Sequence, residues 1–317
     1  MYDRLIACRA TLISSLALIV GCQTTAADVV RDPDTGQPVC DVTHSLRAAN
    51  WATAPGSEAY PCFVFRSPFT EQSRALAWAP RIDRVDLIHH FTLHRTTTPM
   101  NEGVYESCSI PRDARLLVIW SPGDGAVVMP PDVGMELSSG DEEWLILAPH
   151  YLNVGAPGTH DTDASGVDLC VTEAPIGATA GVIVMGTAEI DIPPLVAGFP
   201  VETTCSQRQD FPLTAIATSA HMHARGRAIT SEVIREGETV AMLANEPAFD
   251  PDLQRTRSLS PGVVLQPGDR IRTTCVYDND SSDTIRYGVR TQDEMCFDYV
   301  LAYPIDRWPD EYSRVCW

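Results

Sequence analysis

Residues 263–277 read VVLQPGDRIRTTCVY, and this stretch sets the expectation for the fold. Two short runs of strand-forming residues flank Pro267, Gly268 and Asp269, which are typical of a tight turn. The stretch therefore predicts two β-strands joined by a turn.

Similar short runs recur along the chain. They occupy residues 116–120, 144–147, 181–185 and 298–303, and Pro-containing breaks follow the first three. With no long helical period and no internal repeat, this spacing predicts an all-β chain of antiparallel sandwiches or barrels. Because residues 190–200 are rich in proline, we expect an N-terminal domain at 38–190 and a C-terminal domain at 191–317.

The composition restricts the class of protein. The 317 residues are 44% hydrophobic, which favours a globular fold over disorder. The formal net charge of −19 would repel phosphate backbones, so no nucleic acid is expected as a partner. All 23 basic residues are arginine, and a chain without lysine cannot form a lysine Schiff base or use a lysine general base.

The first 22 residues are typical of an export signal. Arg4 and Arg9 precede an apolar run at residues 11–20 that is too short to span a bilayer. The run ends in LIVGC at residues 18–22, which resembles a bacterial lipobox with Cys22 as the lipidated residue; an ordinary signal peptide with a coincidental cysteine is the alternative. We expect an exported, periplasmic or cell-surface protein, an outer-membrane lipoprotein that contacts the membrane only through its lipid anchor, with residues 23–37 as a tether.

The cysteines also indicate an oxidising compartment. Of ten cysteines, Cys8 and Cys22 belong to the expected signal and eight remain. Their even number, wide spacing and lack of any CxxC pair favour disulfides over a zinc site or a redox dithiol, although spacing alone leaves the pairing open. These eight are Cys40, Cys62, Cys108, Cys170, Cys205, Cys275, Cys296 and Cys316.

Five of the eight histidines lie in three short motifs, His89-His90, His150 and His221-Met222-His223. On a strand, residues two apart share a face with Cα atoms about 6.6 Å apart, so His221 and His223 can converge on one metal ion. Neighbours such as His89 and His90 face opposite sides of a regular strand, and both reach one ion only at a bulge or a strand end. If no metal binds, His221 and His223 would be a pair of surface histidines. Of His89 and His90, one would then lie in the core and the other would face outward.

Met295, in the run TQDEMC at residues 291–296, is a fourth candidate ligand. A methionine beside a strand is by default part of the core. Next to histidines, however, its soft sulfur favours Cu(I), whereas imidazole accepts both oxidation states of copper. Two histidines and a methionine would suit a copper ion that cycles and meets oxygen.

The order HH, HY, HxH and DEMC resembles the copper type II, ascorbate-dependent monooxygenases. The similarity covers nearly all of the expected mature chain, including residues 223–227, 267–277, 295–299 and 303–304. It implies two tandem antiparallel, jelly-roll-like β-sandwiches with copper sites facing an interdomain cleft.

The resemblance also implies roles for individual residues. His89, His90 and His150 would hold an electron-transfer copper in the first domain. His221, His223 and Met295 would hold the oxygen-binding copper in the second, and Tyr299 would lie near the substrate. His94, His44 and His160 match no ligand position, and we expect the last two at the surface.

A family-like disulfide pairing would use all eight cysteines and would join none across the expected domain boundary. The implied bridges are Cys40–Cys170, Cys62–Cys108, Cys205–Cys316 and Cys275–Cys296.

The function implied by the resemblance is hydroxylation of a C–H bond in a small organic substrate, using O2, ascorbate as reductant and two copper ions per chain. Ser219 stands where the peptide-amidating members have an arginine, so bidentate capture of a peptide carboxylate is disfavoured. The acidic residues Asp293, Glu294 and Asp298 favour a neutral or cationic substrate. The alternatives are a copper-binding lipoprotein without turnover and a β-sandwich whose histidines are structural.

Overall fold

The computed structural model describes residues 38–107, 109–155, 162–207 and 209–305, together with the backbone of residues 315–316. Every regular element in these ranges is a β-strand, so the predicted all-β class is confirmed. No helix in the described part of the chain has the length and apolarity needed to cross a bilayer. The expected export signal, the lipidation site Cys22 and the tether lie outside the described residues.

The strands up to residue 172 are, in chain order, β1 (Val42–Arg47), β2 (Trp51–Ala52), β3 (Ser57–Ala59), β4 (Cys62–Arg66), β5 (Arg74–Arg81), β6 (Ile88–Thr96), β7 (Gly103–Tyr105), β8 (Arg115–Trp120), β9 (Val127–Val128), β10 (Val133–Glu136), β11 (Trp144–Asn153), β12 (Thr162–Asp163) and β13 (Gly166–Thr172). The strands that follow are β14 (Ala178–Thr187), β15 (Asp191–Ile192), β16 (Val196–Ser206), β17 (Leu213–His221), β18 (Gly226–Arg235), β19 (Glu238–Glu246), β20 (Arg257–Leu265), β21 (Arg270–Asn279), β22 (Ile285–Arg286), β23 (Cys296–Tyr303) and β24 (Val315–Cys316).

One large sheet extends through both halves of the chain, in the order β1-β13-β5-β10-β14-β23-β17-β20. Along this order the neighbours are antiparallel except for β10 and β14, which run parallel. Two smaller sheets, β7-β4-β11-β6-β8 and β16-β21-β18-β19, pack against its two ends. Strand β14 lies before residue 190 and pairs with β23 of the second half as well as with β10 of the first. Since the large sheet thus continues across the expected boundary, the division into two domains at residue 190 stays a prediction.

The two cores lie between these layers. In the first, Phe91 and Leu147 of the smaller sheet pack with Trp78 and Leu169 of the large sheet. In the second, Val233 and Ile271 of the smaller sheet join a cluster that includes Val300 of the large sheet. The alternation of buried and less buried residues along β21 is the period of two expected for a strand with one face in a core.

The turn at Pro267, Gly268 and Asp269 connects two sheets rather than two paired strands. It leads from β20 in the large sheet to β21 in the four-stranded sheet. Gly268 has a φ of +85°, which favours glycine. The buried Asp269 carboxylate accepts hydrogen bonds from the backbone NH of Gln266 (2.7 Å) and from two nitrogens of Arg235 (2.8 Å each), so the turn is held from both sides.

Two of the four implied disulfides are present between described residues. Cys40–Cys170 ties β13 to the segment before β1, and Cys275–Cys296 joins β21 to β23, across the two layers of the second core. Cys62 and Cys205 are also disulfide-bonded. Their implied partners, Cys108 and Cys316, lie outside the described side chains.

We expect the double variant Cys275→Ala/Cys296→Ala to lose about 2–5 kcal/mol of unfolding free energy, because the bridge restricts the unfolded chain and joins two layers. Urea unfolding followed by tryptophan fluorescence measures the loss. Since Cys296 adjoins Met295, the same variant should also bind Cu(I) more weakly. The control Cys40→Ala/Cys170→Ala should lose stability without that second effect; equal Cu(I) affinities in the two variants would contradict the link to Met295.

Candidate metal centre

The first histidine cluster depends on a bulge between two neighbouring strands. His150 on β11 lies opposite His90 on β6, but the next residue, Tyr151, pairs with Ile88. His89 is therefore an extra residue of β6 at this point, which is the geometry of a β-bulge. Two adjacent histidines of a strand can reach one ion only at a bulge or a strand end, and this bulge meets that requirement.

The three imidazoles of this cluster lie against one another. The ring centroids of His89, His90 and His150 are 5.0–5.3 Å apart, and the Nδ1 atoms of His89 and His90 are separated by 3.1 Å. One nitrogen from each ring lies within 4.8 Å of the other two. This spread is close to that required for three nitrogens bound to one ion at about 2 Å each.

The second cluster lies at the end of β17. His221 is the last residue of that strand, whereas His223 lies two residues beyond it, in the turn that leads to β18. The two rings are nevertheless adjacent, with centroids 5.2 Å apart, and Met222 between them is buried in the second half of the chain. The turn, closed by a hydrogen bond from the Gly226 NH to the His223 carbonyl (3.1 Å), keeps the rings on one side.

Each histidine of the second cluster has one ring nitrogen already engaged. His221 Nδ1 lies 2.7 Å from Gln254 Oε1, and the amide of Gln254 is itself oriented by donation from its Nε2 to the Pro251 carbonyl (2.7 Å). His223 Nδ1 lies 2.9 Å from the Asp293 carbonyl. Because both partners accept, both rings carry their proton on Nδ1 and keep Nε2 free for a metal.

A buried carboxylate connects this cluster to Met295. Glu294 is fully buried, and its side chain accepts hydrogen bonds from the backbone NH groups of His223 (2.9 Å), Arg225 (2.7 Å) and Met295 (3.3 Å). The Tyr277 hydroxyl donates to the Met295 carbonyl at 2.7 Å. The half-buried Met295 is thereby fixed to the turn that carries His223.

The two clusters border a common cavity. The rings of His90 and His221 are 5.6 Å apart. A cavity of ≈ 150 Å³ is bordered by three histidines of the first cluster and by His223 of the second. Its remaining lining includes Asp252, Gln254 and Thr291.

Burial favours the neutral form of four of these imidazoles. It lowers the pKa of His221 to about 3 and that of His150 to about 4, and it also lowers the pKa values of His90 and His223. Mutual repulsion between imidazolium charges acts in the same direction. Neutral rings offer the lone pairs that a metal needs, so the donor set of five imidazoles and a thioether is chemically suited to copper.

Tyr299 lies beside His221 and borders a small, mainly apolar cavity. Its ring lies 6.0 Å from that of His221, and its strand partner is Ser219. Both residues border a small cavity of ≈ 30 Å³ between the large sheet and β8. The Ser219 hydroxyl lies 2.8 Å from that of Thr256, and Asp124 of the first half accepts hydrogen bonds from the Thr256 NH (2.5 Å) and hydroxyl (3.1 Å).

His94 and His44, which have no expected metal role, belong to neither cluster. His94 Nε2 is 2.8 Å from the Thr92 hydroxyl, and burial lowers the pKa of His94 to about 4. His44, expected at the surface, is half-buried with its ring edge-on to Phe69 at 5.0 Å, because the pattern of β1 places one face on the first core. His160 lies outside the described residues.

Sequence reasoning missed the partners that orient the histidines. Gln254, which bonds to His221 Nδ1, comes from the loop before β20 and lies in no motif that marks a metal site. Glu294 was noted only for its charge, although its position between Asp293 and Met295 is the one signal that could have identified it. Glu58, whose carboxylate lies 3.6 Å from His150 Nε2, is on the short strand β3, and no sequence motif marked it as a neighbour of the histidines.

Part of the chain matches a domain family, and most of it is similar to several known proteins. A family model described as "Copper type II ascorbate-dependent monooxygenase, C-terminal domain" matches residues 178–316. "DBH-like monooxygenase protein 1" of Homo sapiens is 30% identical over 275 residues, which cover 77% of this chain and 44% of that protein. "Dopamine beta-hydroxylase" of Canis lupus familiaris is 26% identical, with 83% and 45% covered.

"Peptidylglycine alpha-amidating monooxygenase" of Rattus norvegicus is 24% identical, with 79% of this chain and 26% of that protein covered. The chain thus spans less than half the length of these curated relatives. Among solved structures, the infectious bursal disease virus VP2 subviral particle matches with a TM-score of 0.24 and 11% identity, over 90% of this chain and 76% of that one.

We expect Glu294→Ala to weaken Cu(I) binding at His221, His223 and Met295 by about 10- to 100-fold, because three backbone NH groups lose their common acceptor. Glu294→Gln, which keeps one acceptor oxygen, should lose less. Competition with a Cu(I) chelator measures the affinity, and thermal unfolding shows whether each variant is folded. A folded Glu294→Ala protein with wild-type Cu(I) affinity would contradict this role.

Proposed function

Because the chain belongs to the copper type II ascorbate-dependent monooxygenase family, we propose that it uses copper, ascorbate and O2 to hydroxylate a C–H bond of a small organic substrate. The observation that carries the proposal is the meeting of two unlike donor sets at one cavity. His89, His90 and His150 line one side of the cavity, and His223 lines the other. His221 lies beside His90, and Met295 is fixed to the turn of His223 through Glu294.

The unlike donor sets suit a division of labour. His89, His90 and His150 would hold a copper ion that passes single electrons from ascorbate, since three imidazoles accept both oxidation states. His221, His223 and Met295 would hold the copper ion that meets O2, since sulfur favours Cu(I). Bound copper would supply the electrons and the oxygen chemistry, while the protein supplies ligands, a free coordination position and a shaped cavity.

The residues around the cavity orient the ligands and limit the substrate. Gln254 and the Asp293 carbonyl keep Nε2 of both second-cluster histidines available. The described lining of the cavity contains the carboxylate of Asp252 and no arginine. A neutral or cationic substrate is therefore favoured, and a substrate carboxylate would meet neither a cation there nor an arginine at position 219. Tyr299 would contact the substrate from its place beside His221.

We expect Met295→Ile to abolish ascorbate-driven O2 uptake while His89, His90 and His150 still bind Cu(II), because the replacement removes only the sulfur ligand. His150→Ala should instead leave the second site able to bind copper and lower turnover through loss of the second electron. Oxygen uptake across a panel of amines and phenyl-alkyl compounds, with copper counted by elemental analysis and its ligands followed by X-ray absorption, separates the two effects.

His94→Gln is the matched control, because it alters a half-buried histidine outside both clusters and should leave copper stoichiometry and O2 uptake unchanged. If the wild-type protein binds a single copper ion, or if Met295→Ile turns over normally, the monooxygenase mechanism is wrong here. Two bound copper ions without O2 uptake on any compound would favour a copper-binding protein without turnover.

We also propose that the protein is exported and anchored through Cys22. The support is the apolar run that ends at Cys22 and the set of disulfides, which persist in oxidising compartments. Expressed in a bacterium, the full chain should incorporate radiolabelled palmitate and partition with membranes. Cys22→Ala should lose the label; a labelled Cys22→Ala protein would exclude this anchor.

A further inference from the structure

Glu58 lies beside the first histidine cluster without belonging to it. Strand β3 pairs with β11 so that Glu58 is opposite Leu152, two residues beyond His150. Residues two apart on a strand share a face, so the Glu58 side chain is directed toward the side of β11 that carries His150. Its Oε2 atom lies 3.6 Å from His150 Nε2.

His150 Nε2 has no hydrogen-bond partner closer than this carboxylate among the described residues. The atom is buried, and a buried N–H without an acceptor is costly. The His150 ring is also stacked on Tyr60, with centroids 4.4 Å apart and an interplanar angle of 10°. The ring is thus held on its face by Tyr60, and Glu58 is the acceptor within reach of its Nε2 edge.

The carboxylate itself is anchored from two directions. The Tyr60 hydroxyl donates to Glu58 Oε2 at 2.5 Å, and the Thr291 hydroxyl, from the segment before Met295, donates to the same atom at 3.0 Å. Because Tyr60 gives its proton to Glu58, its oxygen can accept the Thr291 NH at 3.2 Å. These bonds fix the carboxylate before any metal is bound.

We propose that Glu58 is a positioning residue that keeps the His150 proton on Nε2 and thereby presents Nδ1 to the metal held by His89 and His90. A carboxylate that accepts from the distal N–H of a ligating histidine orients the ring and increases its basicity. The proposal rests on the metal-binding part of the proposed function and does not depend on hydroxylation.

Asp252 provides a matched comparison. Its Oδ1 atom is 3.4 Å from His89 Nε2, yet its side chain is 83% exposed, against 33% for Glu58. Both residues place one negative charge near a ring nitrogen of the same cluster. An exposed carboxylate without further anchors contributes little, so position and not charge should distinguish the two.

The test uses the full chain with His221→Ala and His223→Ala, which leaves one histidine cluster, without substrate or O2. Cu(II) affinity is measured by chelator competition in this parent, in Glu58→Ala and Glu58→Gln, and in the control Asp252→Asn. Glu58→Ala should bind Cu(II) about 10- to 100-fold more weakly, Glu58→Gln should be intermediate, and Asp252→Asn should change by less than about threefold.

A second readout needs no metal. In the metal-free protein, 15N chemical shifts of labelled histidine should place the His150 proton on Nε2, and Glu58→Gln or Glu58→Ala should mix the two tautomers. Unchanged Cu(II) affinity in a folded Glu58→Ala protein, or an equal loss in Asp252→Asn, would overturn the positioning role. A parent protein that binds no Cu(II) while His150 still carries its proton on Nε2 would instead refute the proposed function.

Discussion

The site depends on one break in strand regularity. Adjacent residues of a regular strand face opposite sides of the sheet, so His89 and His90 would normally be separated by the full thickness of β6. The bulge opposite His150 adds one residue to β6 and turns both rings to the same side. Without it, three imidazoles could not meet at one point, and the cavity shared with the second cluster would lose one wall.

The second cluster requires two distant segments to be brought together, because Glu294 and the His223 NH that it accepts are 71 residues apart in sequence. Glu294 brings these segments together by accepting NH groups from the turn at 223–225 and from its own neighbour. Burial raises the pKa of this carboxyl to about 7, because the cost of burying its ionised form outweighs the three NH donors that favour that form. The Cys275–Cys296 bridge supports the same place covalently.

The sequence predicted the features that depend on residues close together in the chain. Strand runs and turn residues can be read directly, and they anticipated the all-β class; the grouping of the histidines and Met295 into two ligand sets came only from the resemblance to the copper monooxygenases. The partners of the rings were not predictable, because Gln254 reaches His221, and Asp293 reaches His223, only after distant strands have packed. The turn at 267–269 shows a similar limit: its residues predict a tight turn, but they do not tell whether the next strand pairs with the last or enters another sheet.

The sheet that runs through both halves limits which fragments of the chain can be expressed alone. A fragment that begins at residue 191 would lack β14 and would leave one side of β23 with unpaired NH and carbonyl groups. Such an exposed edge invites pairing with another chain and aggregation. A fragment that begins at Ala178 would keep this edge covered, but it would still expose the side of β14 that β10 normally occupies. Charged substitutions along that side would be the natural first modification for a soluble fragment.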